Sequence, residues 1–413
     1  MADMRIAVAG IFATIVFATI VFASAATARE TNGAQMFRQN WTSAETASDG
    51  LGPIYNEASC HACHWFGGGA RIRVRPDGEV AGAGVLLRHT FVDGAGDPHY
   101  GVQLQNKAVD GVAAEGVADL SAVRAANGLT RFLASVRFAS GPGRTAGITM
   151  SLRAAPALDS TAVVATVSDA AIIKGADPRD SNGDGISGRV HLLPMAGERP
   201  KIGRFNWKAT RASVEDQIAT ALWFDMGLTS PRHTQPQGEC TPRQLDCIEA
   251  SGSPSSDLIV DFDGEQIAAL ADHVRSLGRL MKVPAQPRVF TDAQCGSCHT
   301  PTMETQDGWS VALYSDLLLH DMGDGLTSYG GEGAALPTEW RTTPLIGFRG
   351  QLPGHRFLHD GRAATIDEAI RWHGGEAQTS RDAYMSLSAA EKLDLTSFVL
   401  TLMSAMPTPP QGD

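Results

Sequence analysis

The chain has 413 residues, of which 34 are Lys or Arg and 45 are Asp or Glu, so its formal net charge is −11 at pH 7. This length allows two or three domains. The acidic balance argues against a nucleic-acid-binding protein, because such proteins carry a basic patch or stripe.

The chain begins with a segment that has the pattern of a secretory leader. Arg5, offset by Asp3, precedes an apolar stretch over 6–26, and Ala26-Thr27-Ala28 offers a cleavage site of small residues. The stretch also reaches the roughly 18 residues of a membrane span, so a retained anchor is the alternative. We predict a signal peptide over 1–28, cleaved after Ala28, and a periplasmic protein that meets the membrane only if the leader is retained.

A Cys-x-x-Cys-His motif occupies Cys60–His64. In c-type cytochromes the two cysteines form thioether bonds to haem and the histidine ligates the iron. A zinc site would need a second ligand pair and a thioredoxin motif a βαβ surround, and neither pattern is evident. The motif predicts haem c held by Cys60 and Cys63, with His64 as axial ligand.

The segment after this motif is rich in glycine, and clear helical periodicity is weak until Gln103. Two stretches, 71–75 and 85–91, alternate enough for short strands. We predict an N-terminal haem domain over 29–139 that is mainly helical, with substantial loops and one hairpin.

A possible calcium loop follows in the sequence Asp180-Ser-Asn182-Gly-Asp184-Gly185. Oxygen ligands at alternate positions and a glycine at the bend match the first half of an EF-hand loop. Its twelfth position is His191 rather than Glu, so the loop is not a complete EF-hand loop. The alternative is an ordinary turn rich in Asp, Asn and Gly.

Two cysteines lie outside the haem motifs, Cys240 and Cys247. In an oxidising compartment such a pair is expected to close a loop disulfide. A catalytic dithiol is the alternative, although neither the spacing nor a basic neighbour at a helix start favours a reactive thiolate.

Three helix starts are legible, because a Ser or Asp is followed three residues later by an acidic or amide side chain and then by apolar residues at helical spacing. These starts are at Ser213, Asp263 and Ser388. The stretch Pro284-Ala-Gln-Pro287 is the best boundary signal. We predict an intervening helical and loop region over 140–284.

A second Cys-x-x-Cys-His motif occupies Cys295–His299. It predicts a second haem c on Cys295 and Cys298, with His299 as axial ligand. Together with the helix after Ser388, it defines a cytochrome c-like domain over 285–413. The predicted fold class is mainly α, with two cytochrome c-like haem domains, long loops and a few short strands.

Several blocks give the chain a resemblance to a known family. They include Leu51–Cys60, Tyr100–Gln105 and Leu319–Gly323, and the most specific are Phe357–Arg362 and Trp372–Glu376. On these residues the chain resembles the bacterial di-haem oxidoreductases, also named thiol oxidoreductases, within the superfamily of di-haem cytochrome c peroxidases. The resemblance implies two haems, a peroxide-activating one and an electron-transfer one.

The resemblance also implies two catalytic residues. In the peroxidases, a glutamine and a glutamate ten residues apart follow the first haem motif, and Gln105 and Glu115 have that spacing here. A carboxylate near the open iron face can shuttle a proton between the peroxide oxygens while an amide orients the peroxide. Gln103 is an alternative to Gln105, and Glu115 could instead be a surface acid in a loop.

The resemblance further implies a second axial ligand for the second iron. The family's ligand position, counted from Thr365, falls on His373, where relatives carry methionine or tyrosine. A histidine pair would give a less positive potential than His/Met ligation, which raises it. Met322 is the rival ligand, and His373 could also be a polar residue at a helix end.

The expected activity is therefore that of a peroxidase-like di-haem c oxidoreductase. Its expected partners are a small redox electron-transfer protein and a small-molecule oxidant such as peroxide, and its expected cofactors are two haem c groups with a possible Ca2+. Two alternatives stay open: a pure electron-transfer cytochrome, and an oxidase that modifies a protein or a thiol.

Overall fold

The structure is a computed structural model, and six ranges of the chain are described. These ranges are 32–42, 50–251, 260–278, 285–330, 332–347 and 354–403. The predicted signal peptide over 1–28 lies outside them. In the described ranges, no helix has the length and apolar character needed to cross a membrane.

The helices are short and spread along the chain. In order they are α1 (32–38), α2 (Cys60–Cys63), α3 (Thr161–Thr166), α4 (Asp169–Gly175), α5 (Val214–Met226), α6 (Leu245–Ala250), α7 (Gly264–Ser276), α8 (Arg288–Asp292), α9 (Ile366–Arg371), α10 (Gln378–Ser386) and α11 (Ala389–Leu402).

The strands lie mostly in the first part of the chain. In order they are β1 (Ile54–Tyr55), β2 (Arg71–Val74), β3 (Glu79–Ala83), β4 (Val85–Thr90), β5 (Lys107–Ala108), β6 (Gly116–Arg124), β7 (Thr130–Phe138), β8 (Thr149–Ala154), β9 (Leu192–Leu193), β10 (Lys201–Ile202), β11 (Thr302–Glu304), β12 (Ser310–Ala312), β13 (Leu319–Asp321) and β14 (Glu339–Arg341).

A four-stranded antiparallel sheet with the order β2-β3-β6-β7 follows the first haem motif, and β4 pairs with β8 beside it. Alternate residues of these strands, such as Leu87, Phe132 and Leu152, form one buried cluster. In the four-stranded sheet the opposite residues are mostly exposed, as expected for an antiparallel sheet with one solvated face, whereas on β8 Ser151 and Arg153 are buried as well.

The predicted fold class is wrong, because the described residues are 30% helical and 21% strand and the fold is therefore not mainly α. The largest departure is the hairpin of β6 and β7, whose nine residue pairs run from Gly116 opposite Phe138 to Arg124 opposite Thr130. Its turn contains Asn127-Gly128, with Gly128 at φ 75°. Asn-Gly between alternating strands is a strong hairpin signal that our reading of helical periodicity missed.

A second hydrophobic cluster joins the helices to the second haem motif, and its residues run from Met36 to Leu402. Around that motif, the rings of Phe290, Tyr314 and Phe398 meet edge to face, with centroids 5.4 to 5.9 Å apart. The second haem motif therefore begins beside three aromatic rings that pack against one another. The predicted domain limits at 139 and 284 stay a prediction.

The three predicted helix starts are present. The Ser213 hydroxyl accepts a hydrogen bond from Asp216 N at 3.1 Å. Reciprocal capping boxes form at the N-terminus of α7, with Asp263 as the cap, and at the N-terminus of α11, with Ser388 as the cap. Each cap satisfies backbone N–H groups that have no partner within the helix. Helix α5 also supports the first haem motif, because its last turn lies against the segment that leads into that motif.

Candidate functional site

The first haem motif forms a single helical turn. Ser59 caps α2 by accepting a hydrogen bond from Ala62 N at 3.3 Å, and His64 follows Cys63 with its Nδ1 atom 3.2 Å from Gly68 O. A carbonyl can only accept, so in the neutral ring this contact assigns the proton to Nδ1 and makes Nε2 the nitrogen with the lone pair; the Pro156 carbonyl is a second neighbour of the ring. A free Nε2 is the donor that haem iron takes from an axial histidine.

The second motif shows the same arrangement. Its first three residues form a 3₁₀ turn after α8, and His299 Nδ1 lies 3.0 Å from Tyr314 O. His299 is therefore also fixed with a free Nε2. Tyr314 packs against Phe290 and Phe398, so the hydrophobic core sets the orientation of the His299 imidazole.

His373, the predicted second ligand, has the third such contact, with Nδ1 2.8 Å from Ala369 O. Burial, together with the neighbouring His373, lowers the pKa of His299 to about 4, so the two rings interact electrostatically. Each ring therefore presents an Nε2 atom suited to an axial ligand, and their pairing on the second iron stays a prediction. Met322 packs instead against the cluster of Leu326, Trp340 and Trp372.

The four motif cysteines are unpaired thiols, and Cys240 and Cys247 are joined in the predicted disulfide. Burial raises the pKa of Cys60 to about 12 and that of Cys295 to about 11. These thiols are therefore not reactive thiolates at neutral pH. Free thiols beside histidines with an open Nε2 fit covalent attachment of haem.

The disulfide is buried, with Cys240 9% and Cys247 2% exposed, and it packs against Ile54. A dithiol that exchanges with substrate thiols needs access to solvent. The catalytic-dithiol alternative therefore finds no support in the position of this pair.

Glu115 is fully buried and lies beside Gln105, as the resemblance implies. Its Oε2 accepts a hydrogen bond from Gln105 N at 2.6 Å, and its Oε1 accepts one from Gln244 Nε2 at 2.8 Å. Burial, together with the charges of Glu239 and Asp97, raises the pKa of Glu115 to about 8 against these two hydrogen bonds. A carboxyl that holds a proton at neutral pH is suited to acid–base work.

Both candidate glutamines lie against the end of α5. Gln105 Nε2 donates to Phe224 O at 2.9 Å, while Gln103 Nε2 donates to Asn56 Oδ1 at 2.6 Å and to Asp225 Oδ1 at 2.9 Å. Within the described residues, neither side-chain Oε1 atom has a hydrogen-bond partner. Two unpartnered buried carbonyl oxygens could accept from a bound hydroxyl or hydroperoxyl group.

Asp225 connects this polar cluster to the first haem motif. Its backbone O accepts from Asn56 N at 2.8 Å and Glu57 N at 3.1 Å, and its carboxylate raises the pKa of both Cys60 and Cys63. The buried carboxylates and amides therefore lie beside the Cys60 motif.

A second buried cluster surrounds His320, which sequence reasoning did not assign. His320 Nε2 lies 2.9 Å from Asp316 Oδ2, and its Nδ1 lies 2.7 Å from Glu376 Oε2 and 3.8 Å from Cys298 Sγ. Burial opposes protonation of this ring, but the hydrogen bonds to Asp316, Cys298 and Glu376 raise its pKa to about 12. Two of the sequence blocks that resemble the family, Leu319–Gly323 and Trp372–Glu376, contain His320 and Glu376 and could have indicated this cluster.

Cys298, Asp316 and His320 also bring three metal-binding atom types within 4.8 Å of one another. Cys298 belongs to the second haem motif, and its sulfur would no longer be a thiolate ligand once it formed the predicted thioether bond. The ion pairs of His320 with Asp316 and Glu376 therefore lie directly beside this motif.

The candidate calcium loop lies on the surface. Asp184 N donates to Asn182 Oδ1 at 3.0 Å, and Ile186 N donates to Asp184 Oδ1 at 2.9 Å. These are the hydrogen bonds of Asx-type turns. Ca2+ binding by Asp180, Asn182 and Asp184 stays a prediction.

Comparison with protein families gives one match, over residues 145–402, which is more than half of the chain. The matched family is described as "Di-haem oxidoreductase, putative peroxidase". The chain belongs to this family. The resemblance stated from the sequence is thereby confirmed, and the protein is an oxidoreductase of the di-haem class. A search of curated proteins finds no match.

The matched span contains the second haem motif, His373, Met322 and the His320 cluster. The first haem motif, Gln105 and Glu115 precede it. Assignments in the first part of the chain therefore depend on the residues and contacts of that part itself.

Proposed function

We propose that the protein is a periplasmic peroxidase that carries two haem c groups and takes electrons from a small redox protein. The observation that supports it most is Glu115, a fully buried carboxyl whose pKa of about 8 keeps it protonated at neutral pH. It lies in the cluster beside the first haem motif. A pure electron-transfer cytochrome has no use for such a group, because burying an ionisable carboxyl costs free energy.

The residues that would hold the haems are assigned from their chemistry. Cys60 and Cys63 would attach the first group, with His64 as its axial ligand. Cys295 and Cys298 would attach the second, with His299 and His373 on its two faces. When bound, the haem irons supply the one-electron redox chemistry that amino-acid side chains do not.

The protein's own residues would manage the protons. Reduction of one hydrogen peroxide to two waters consumes two electrons and two protons. The Glu115 carboxyl can give its proton to the departing oxygen, with its position held by Gln105 N and Gln244 Nε2. The Gln105 side chain can accept from the peroxide O–H with its unpartnered Oε1. Proton transfer by a positioned group typically contributes about 10²–10⁴ in rate.

An electron paramagnetic resonance and optical titration of the purified protein with peroxide tests this function. We expect two covalent haems, one low-spin and one high-spin or ligand-exchangeable, and the exchangeable signal should respond to peroxide. Two low-spin haems that ignore peroxide would instead identify an electron-transfer cytochrome.

A further inference from the structure

The backbone N–H groups of the extended segment 103–105 donate hydrogen bonds on two opposite edges, to different kinds of acceptor. Leu104 N donates to Leu87 O of β4 at 2.9 Å, while Gln103 N and Gln105 N point to the other edge. There the acceptors are carboxylates. Gln103 N donates to Glu239 Oε2 at 2.9 Å, and Gln105 N donates to Glu115 Oε2 at 2.6 Å.

The two carboxyl groups therefore lie side by side. N–H groups two residues apart in an extended chain are separated by about 7 Å. The proximity also appears in the electrostatics, because burial raises the pKa of Glu239 to about 7 and Glu239 in turn raises the pKa of Glu115. Burial therefore raises the pKa of both carboxyls towards neutral pH, which suits two groups that exchange a proton.

The loop closed by the Cys240–Cys247 disulfide carries two members of this arrangement. Glu239 directly precedes Cys240, and Gln244, inside the loop, donates to Glu115 Oε1. Thr241 Oγ1 fastens the loop to His99 O at 3.0 Å. The disulfide therefore holds a carboxyl and an amide donor against the buried Glu115.

Exposure distinguishes the two residues. Glu115 is 0% exposed, whereas the Glu239 residue is partly exposed although its carboxyl group is itself largely buried. The proposed reaction takes up two protons for each peroxide, and a carboxyl without solvent contact must receive its protons from a neighbour.

The other titratable groups that face Glu115 are less suitable donors. Asp97 is 2% exposed, and its Oδ1 accepts from the backbone N–H groups of His99 and Tyr100. Tyr100 is 0% exposed, and its hydroxyl donates to Ser140 O at 2.7 Å. Glu239, faced by the Arg88 guanidinium, is the partly exposed member of the set.

We propose that Glu239 is the proton-relay partner of Glu115, held in place by the disulfide-closed loop 240–247. This inference rests on the proposed peroxidase function. In the relay, the Glu239 O–H bond breaks as a new O–H bond forms on the Glu115 carboxylate, by way of a water between them. Glu239 then takes a proton from solvent, and no electron moves in this step. Glu239 acts through Glu115 and is not itself in contact with the peroxide.

Three variants test the relay: Glu239→Gln, Glu239→Asp and, as a control, Glu249→Gln on the exposed side of α6. We expect Glu239→Gln to lower peroxide turnover at least tenfold and to shift its pH profile. Glu239→Asp should restore part of the rate because it keeps the carboxyl, and Glu249→Gln should behave as wild type.

An infrared pH titration of the carboxylic acid C=O band gives a readout that does not require turnover. The band lost in Glu115→Gln should titrate at lower pH in Glu239→Gln, because a neighbouring negative charge has been removed. A wild-type rate and an unmoved band in Glu239→Gln would overturn the relay. If the wild-type protein reduces no peroxide, the proposed function fails, and the infrared titration reports separately on the carboxyl pair.

Discussion

His373 Nδ1 lies 2.8 Å from the carbonyl oxygen of Ala369, four residues earlier at the end of α9. This contact aims Nε2 of His373 away from its own helix, and His373 lies close enough to His299 to lower its pKa. The second iron is therefore expected to be closed on both faces by imidazole.

Replacing this ligand should change the second haem alone. His373→Met should shift its midpoint potential positively, within the roughly 0.8 V that axial ligands can span, because methionine ligation raises the potential. His373→Ala should create a second high-spin signal. Redox titration and electron paramagnetic resonance measure both effects, with Met322→Leu as the control. A changed spectrum in Met322→Leu but not in His373→Ala would assign the ligand to Met322.

Removing the Glu115 carboxyl should lower peroxide turnover without changing the haem content. Glu115→Gln should retain both covalent haems and lose roughly 10²–10⁴ of its peroxide turnover, because the amide cannot give up a proton. Absorbance of the reduced protein counts the haems, and steady-state kinetics measures turnover. Asp119→Asn on the exposed face of β6 is the control. Unchanged turnover in Glu115→Gln would remove this residue from the mechanism.

The same carboxyl should produce a pH dependence of stability. The pKa of Glu115 is about 8 in the folded protein, above its ordinary value of 4.5. Between these values the unfolded chain has lost a proton that the folded protein keeps, so stability falls as pH rises. Urea denaturation from pH 4.5 to 8 should show a decline that is smaller in Glu115→Gln. An identical pH dependence in both proteins would show that Glu115 ionises normally.

Arg153 and Glu332 form a buried pair joined by two hydrogen bonds, of 2.9 and 2.5 Å. Burial would raise the pKa of Glu332, but Arg153 lowers it to about 2. The pair therefore stabilises the fold above the carboxyl's unfolded pKa, and the contribution is lost as pH falls from about 4.5 through 2.

Breaking this pair should be strongly destabilising. Arg153→Met removes the hydrogen-bonded partner of the Glu332 carboxylate and leaves only the charges of Arg88 and Lys208 near it, so it should cost about 3–5 kcal/mol at pH 7. The double variant with Glu332→Met should recover part of this loss, because the carboxylate that lost its partner is removed as well. Denaturant melts of the three proteins measure the effect. A double variant that is less stable than Arg153→Met would contradict this explanation.

The disulfide should contribute to stability by restricting the unfolded chain. Closing the short loop between Cys240 and Cys247 is expected to contribute about 2–3 kcal/mol, so Cys240→Ser with Cys247→Ser should lower the denaturation midpoint. Reduced wild-type protein should behave like this double variant. Equal midpoints for the oxidised and double-serine proteins would show that the loop is ordered without the bond.

Local features were predictable from the sequence because their hydrogen bonds close within a few residues. The starts of α5, α7 and α11 each depend on a side chain that reaches a backbone N–H three positions away. The hairpin of β6 and β7 had a local signal of the same kind at Asn127-Gly128, and our prediction of a mainly helical fold went wrong by passing over it.

The two haem motifs and the cysteine pair were likewise determined by the sequence itself, since their chemistry depends on residue type and short spacing. Only the tertiary structure brought Gln244 to Glu115 across 129 residues, Glu239 to Gln103 across 136, and Glu376 to His320 across 56. Such contacts arise from the packing of α5, the strands and the disulfide loop around shared cores, and no local pattern encodes them. The sequence therefore predicts the haem attachment points, and the fold decided which buried acids lie near them.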